Sequence, residues 1–240
     1  MAGTIKKSLN PTTVFDIFIY AGYEPNKLWQ EFMRAKKSFL VFLLPVIYLL
    51  FSSCAGLYLG GGGAFGLGGG ETAHYESWSH EDIIFPKLDA GLGYFAEIGT
   101  FEKDGTMQAA FSVMPMTGTY GSEKYACTMY QASCGARISM QEDDSPIMFM
   151  LPFNLTYQWL NVTDSSYYGG SYGDTTFSGF GANAGLGVMT ALGDRFLLNL
   201  EALWSFEIYG RADAVNSAGK IEESPFVTGP SFKACLYFML

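Results

Sequence analysis

The chain has 240 residues, of which 49% are hydrophobic, 16% aromatic and only 15% charged. That charged share lies well below the roughly 25% usual in soluble domains. Together with 29 Gly, 20 Phe and 15 Tyr, it excludes a disordered tail, a coiled coil and a charged helical bundle. With 14 basic against 23 acidic residues the net charge is −9, which argues against a phosphate-binding surface and against nucleic acid as a partner.

The first element in chain order is the apolar run FLVFLLPVIYLLF, residues 39–51. Its ~13 residues are too few for a membrane-spanning helix, which needs about 20. Met33-Arg34-Ala35-Lys36-Lys37-Ser38 precedes it and Ser52-Ser53-Cys54-Ala55-Gly56 follows. A basic stretch, an apolar run and then small residues are the three parts of a secretory signal. The expected organisation is therefore 1–32 as an upstream extension from a mis-assigned start, 33–55 as the signal peptide, and 56–240 as the exported domain. Two cleavage chemistries fit. Ser53-Cys54-Ala55 suits ordinary cleavage before Gly56, whereas Phe51-Ser52-Ser53-Cys54 is similar to a lipoprotein box that would lipidate Cys54. Without residues 1–55 the chain carries 8 basic against 20 acidic residues.

From Gly56 onward the apolar residues recur every second position, the period of a strand with one apolar face. Eight such segments are predicted: 57–69, 88–99, 107–116, 126–140, 147–161, 178–192, 195–211 and 226–240. In 195–211, Phe196, Leu198, Leu200, Ala202, Trp204, Phe206 and Ile208 share one face, opposite Asn199, Glu201, Ser205, Glu207, Tyr209 and Arg211. In 147–161, Ile147, Phe149, Leu151, Phe153, Leu155, Tyr157 and Trp159 oppose Asn154, Thr156 and Gln158. In 88–99 the apolar face is Leu88, Leu92, Tyr94 and Ile98. Strands of roughly 10–17 residues exceed the 5–6 of soluble proteins and match the 9–11 that a tilted strand needs to cross a bilayer. The connections alternate in length, with the longer ones in odd positions: 71–86, 118–124, 163–176 and 211–224.

A soluble barrel would turn the Phe/Leu/Trp faces inward and would need an outer face rich in Lys and Glu. Here the second face is mostly Gly, Ser, Asn, Thr and Gln, which suits the crowded interior of an eight-stranded barrel. None of the apolar faces carries a charge, and one Arg or Lys there would cost about 2–4 kcal/mol at mid-membrane. The predicted fold is all-β: an eight-stranded antiparallel up-and-down transmembrane β-barrel behind an N-terminal signal segment.

Gly56-Leu-Tyr-Leu-Gly-Gly-Gly-Gly, the strand–turn rhythm and the ending Leu236-Tyr-Phe-Met-Leu240 together resemble the small eight-stranded bacterial outer-membrane barrels, the OmpA-transmembrane/OmpX-like group. The resemblance covers residues 56–240. It implies residence in the bacterial outer membrane, contact with its lipid and lipopolysaccharide, and insertion by the barrel-assembly machinery. Its functions span adhesion, envelope stabilisation, small-molecule passage and lipid modification. The expected role is structural, with surface contact to an extracellular ligand and no enzymatic step. The alternatives are a lipid A acyltransferase or deacylase, and a passage route for small apolar molecules.

Strand parity places Asp89, Glu97, Arg137, Glu201, Glu207 and Lys233, with Arg211 as a further candidate, in a lumen charge network. Charges removed from water demand partners, so the expected role is a salt-bridged plug, with a gated ion pathway as the functional alternative. His74, Ser77 and His80 on the first outer connection, with Asp164 on the third, are the candidate catalytic set, because imidazole beside hydroxyl and carboxylate can activate a nucleophile. Tyr167, Tyr168 and Tyr172 sit in a Tyr/Ser/Gly-rich stretch of the kind that makes binding surfaces, or continues an aromatic girdle. No cofactor or metal is expected. Cys127 and Cys134 are too far apart on one strand, roughly 23 Å, to bridge unless the chain folds back between them.

Overall fold

The computed structural model describes residues 56–70, 73–76, 82–102, 104–140, 146–163, 166–167, 174–214, 218–220 and 225–240. The predicted extension and signal segment lie outside these residues.

Eight long strands form the wall: β1 Gly56–Gly66, β2 Gly91–Glu102, β3 Gly105–Tyr120, β4 Glu123–Ser139, β5 Ile147–Val162, β6 Thr175–Ala191, β7 Phe196–Ala214 and β8 Phe226–Met239. Each pairs antiparallel with its neighbours in sequence, and β1 closes the ring on β8 from Tyr58↔Met239 to Gly66↔Ser231. Closure removes every edge that would leave backbone N–H and C=O groups unpaired in lipid. Both chain ends of the barrel lie at one rim, where the Leu240 N–H donates to the Leu57 carbonyl at 2.9 Å.

The alternation in sequence becomes an inside and an outside. Leu92, Phe180, Leu186, Phe153, Leu200 and Phe206 stand exposed on the outer wall, while Asn154, Gln158, Asn199 and Arg137 are buried in the lumen. Aromatic side chains band the outer wall: Tyr157 meets Trp159 at 4.7 Å and Phe180 at 4.8 Å between ring centroids. On the same wall Trp204 Nε1 donates to Thr228 Oγ1 at 2.8 Å, so the indole keeps its polar contact within the protein. Aromatic girdles of this kind mark the interfacial levels of transmembrane barrels.

The turns at the rim of the chain ends are short, and a positive φ of 80° at Gly193 serves the one between β6 and β7. At the opposite rim the first, fifth and seventh connections are long. The third is not. β3 and β4 run on to Tyr120 and Glu123, which pair directly around Gly121-Ser122. Gly121 takes φ 60°, the left-handed geometry that tight hairpins of two residues require. The 118–124 stretch therefore forms an extended ribbon instead of a loop.

Two interior clusters fill the barrel. Towards the rim of the long connections lie Phe85, Leu88, Tyr125, Cys127, Leu160, Val162, Phe177, Tyr209, Ala212 and Val227, an apolar plug. Phe85 packs edge-on against Phe177 at 4.9 Å and leans on Tyr209 at 5.1 Å. The other cluster gathers Tyr58, Ala64, Phe95, Met114, Met150, Met189, Leu197, Cys235 and Tyr237 around the charged groups described next.

Candidate functional site

Five of the eight wall strands send a polar side chain to one level of the lumen: Tyr58 from β1, Glu97 from β2, Arg137 from β4, Asn199 and Glu201 from β7, and Tyr237 from β8. Arg137 is the hub. Its Nη1 and Nη2 reach the two Glu97 oxygens at 2.7 and 3.0 Å, a forked contact that matches the planar guanidinium to the carboxylate. Nη1 also donates to Tyr58 OH at 3.0 Å and Nη2 to Tyr237 OH at 2.8 Å, while Nε donates to Glu201 Oε1. All five N–H donors of the guanidinium are thereby used.

The surrounding groups lock this geometry. Tyr58 OH donates to Glu97 Oε1 at 2.8 Å, and Asn199 Nδ2 donates to Glu201 Oε1 at 2.9 Å and to Tyr237 OH at 3.2 Å. The two tyrosine rings meet at 4.6 Å between centroids. Glycines in the wall make this possible: a Cβ at Gly60 would strike the Tyr237 ring, and one at Gly99 would strike the Tyr58 phenol. Lys233 stands opposite Glu201 in the β7–β8 ladder, with its Nζ 5.4 Å from the centre of the Phe95 ring. Two cations thus stand against Glu97 and Glu201 at this level.

Above it runs a row of amides, in which Asn154 Nδ2 donates to Asn183 Oδ1 at 2.7 Å and Gln108 Nε2 donates to Asn154 Oδ1. Higher still, Glu207 is buried among uncharged donors. Gln131 Nε2 lies 3.2 Å from Oε1 and Tyr209 OH 3.5 Å from Oε2. The Gln158 amide, with its nitrogen turned to the carboxylate, donates to both oxygens at 2.9 and 3.1 Å. Neither Arg137 nor Lys233 is bonded to this carboxylate; its neighbours are the two amides and the phenol.

Two of the charges that parity assigned to the lumen are elsewhere. Asp89 is exposed, because the alternation breaks at Asp89-Ala90 between the short strand Lys87–Leu88 and β2. Leu88, expected on the outer face, instead turns into the plug, while the Asp89 N–H is held by the Thr117 carbonyl at 2.7 Å. Arg211 also points outward. Ser178 pairs with Arg211 but Gly179 with Tyr209, so Gly210 is an extra residue, a β-bulge that reverses facing beyond it. Ala212 then turns inward and Arg211 forms an exposed pair with Asp213 at 2.8 Å.

Among the outer candidates, the backbone of His74 lies in the strand Ala73–Glu76, opposite Ile84 of Asp82–Phe85. Asp82 of that second strand pairs in turn with Tyr167 of Ser166–Tyr167. First and third outer connections therefore share a three-stranded sheet. Ser77, His80, Asp164, Tyr168 and Tyr172 lie outside the described residues. Cys127, Cys134 and Cys235 are free thiols, and β4 runs unbroken through the first two. The sequence reading missed Tyr58 and Tyr237 as partners of the charges; their position on the polar faces of β1 and β8 was the available signal.

No protein-family model matches the sequence, and neither does any curated protein. Solved structures do match. OprG, an outer membrane protein from Pseudomonas aeruginosa, is 10% identical with a TM-score of 0.52 over 78% of this chain and 96% of its own. Neisserial surface protein A is 15% identical, with a TM-score of 0.48 over 77% of this chain and 97% of its own. Ail, the attachment invasion locus protein of Yersinia pestis, is 10% identical with a TM-score of 0.41, over 78% and 99%. The OprG likeness speaks to fold, and it agrees with the closed ring and the apolar outer wall. This chain folds as a small eight-stranded transmembrane β-barrel of the outer-membrane type.

Proposed function

We propose that the protein resides in the bacterial outer membrane as a closed structural barrel, and that its outward contacts are made by the connections at the rim away from the chain ends. The observation that carries this reading is the filled lumen. Arg137 is tied by every donor to groups from β1, β2, β7 and β8, and the apolar plug lies beyond it. A side chain held by two carboxylates and two phenols is a brace between wall strands, and breaking one partner of such a buried group costs about 3–5 kcal/mol. Barrels of eight strands have interiors just wide enough for side chains to fill.

The chemistry of the outer rim limits what it touches. In sequence, connections 67–90, 121–122, 163–174 and 215–225 hold nine acidic residues against two lysines, Lys87 and Lys220. That balance repels polyanions and favours basic surfaces, or anionic lipopolysaccharide bridged by divalent cations. Tyr167, Tyr168 and Tyr172 would supply contact area at low entropic cost. Insertion would rely on the barrel-assembly machinery.

Two measurements test the reading. Purified barrel in a planar bilayer should give no discrete conductance steps; regular single-channel steps would contradict the closed lumen. Mass spectrometry of lipid A from cells with and without the protein should give one profile. A changed acylation pattern would instead assign the outer connections, with His74, Ser77, His80 and Asp164, to a lipid-modifying enzyme.

A further inference from the structure

The lumen is rich in sulfur. Of the nine methionines after residue 56, Met107 and Met140 are exposed on the outer wall, and the other seven pack into the interior clusters. Their spacing is not scattered. Met114-Pro115-Met116 on β3 and Met148-Phe149-Met150 on β5 each place two thioethers two residues apart, on the same strand face. Across the ladder from the first pair, Met114 stands opposite Met129 and Met116 opposite Cys127, both on β4.

Four sulfur-bearing side chains thus form a two-by-two patch on the inner wall. Directly opposed Cβ atoms in such a ladder lie about 4.5–5.5 Å apart, and successive residues on one face are roughly 7 Å apart. Thioether arms with three rotatable bonds can close that grid onto one centre. Met114 and Cys127 are buried, whereas Met116 and Met129 keep partial exposure and pack against both interior clusters, at their junction. Tyr209 OH lies 3.8 Å from Met129 Sδ, and the Cys127 thiol donates to the Tyr125 carbonyl at 3.7 Å. Glycines leave room for it: a Cβ at Gly66 would stand 3.1 Å from Met114 Sδ, and one at Gly118 would stand 2.9 Å from Cys127 Sγ. Packing alone is served as well by leucine; it does not require sulfur matched against sulfur in both rows of the ladder.

We propose that Met114, Met116, Cys127 and Met129 form a binding site for a soft monovalent metal ion of the Cu(I) or Ag(I) class. Three thioethers and a thiol, whose proton leaves on binding, offer the ligand softness that selects such ions over zinc, calcium or magnesium. The site lies on β3 and β4 above the Arg137 brace, so it is independent of whether the barrel conducts or acts on lipid.

The test uses the full barrel folded in detergent micelles, with Cys134→Ser and Cys235→Ser removing the other two thiols. Silver nitrate in chloride-free buffer is the probe, followed by the methyl resonances of 13C-labelled methionine. The expected result is saturation near one equivalent, with shifts at Met114, Met116 and Met129 while Met107 and Met140 stay in place. Met114→Leu with Met129→Leu keeps the volume nearly constant and should weaken binding by about tenfold or more, with the folded band on unboiled gels retained. Shifts confined to Met148, Met150 and Met189, shifts equal at the outer Met107, or unchanged affinity in the double variant would each overturn the assignment.

Discussion

Arg137 on β4 and Glu97 on β2 meet across the lumen through two N–H···O contacts of 2.7 and 3.0 Å, although 40 residues separate them in sequence. Neither side chain reaches water, so the guanidinium and the carboxylate take the place of each other's solvent. Arg137→Ala should therefore lower stability by about 3–5 kcal/mol, because Glu97 and Glu201 stay buried and lose the guanidinium that bonds them both. Arg137→Met combined with Glu97→Leu and Glu201→Leu should recover most of that loss, since apolar replacement of a buried ionic group is often neutral. Urea unfolding of the folded barrel in micelles measures both. A single variant as stable as the parent would remove the brace from the account.

The two faces of the wall should respond in opposite ways. Leu200 is exposed on the outer wall and Ser133 is buried in the lumen. Leu200→Arg should impair assembly by about 2–4 kcal/mol, the cost of a cation at mid-membrane depth. Ser133→Ala should change stability by no more than about 1 kcal/mol, because only one small hydroxyl is lost and the Cβ stays packed in the lumen. The fraction that keeps its folded mobility on unboiled gels reports on each. Equal tolerance at both positions would contradict the facing.

The bulge at Gly210 makes a local prediction. In a background without native cysteines, Arg211→Cys should react quickly with a membrane-impermeant maleimide, and Ala212→Cys should be protected. Strict alternation through Gly210 would give the reverse pattern.

Much of this barrel was legible in the sequence because a wall one residue thick has only two environments. Each strand must show lipid one face and the lumen the other, so Phe196 to Ile208 could hardly alternate by accident. Legibility ended where that rule is suspended. At Asp89-Ala90 the chain changes from a short strand to β2 and slips its phase, which sent Leu88 inward and Asp89 out. At Gly210 one unpaired residue did the same to Arg211. A glycine inside a strand is a known mark of a bulge, so that signal was present and unread. The charges of the lumen were visible by type, yet their partners were not. The phenols of Tyr58 and Tyr237 complete the Arg137 shell only because Gly60 and Gly99 leave space for the rings, and spacing alone carries no trace of that fit.

The three thiols among the described residues give a further prediction. Cys127 and Cys235 are buried, while Cys134 lies on the wall between Ala109 and Leu155. The folded barrel should migrate identically with and without reductant, and its thiols should resist water-soluble maleimides until it is unfolded. A mobility shift on reduction would reveal a disulfide that the unbroken course of β4 forbids.

The central claim is that the apolar faces touch hydrocarbon around a closed ring, and Trp204 on the outer wall of β7 reads it directly. With Trp29, Trp78 and Trp159 replaced by Phe, the barrel is reconstituted into vesicles whose acyl chains carry bromine, and Trp204 fluorescence is measured. The account predicts strong quenching by the brominated chains and little by aqueous acrylamide. Unquenched Trp204 emission in the brominated bilayer would contradict it.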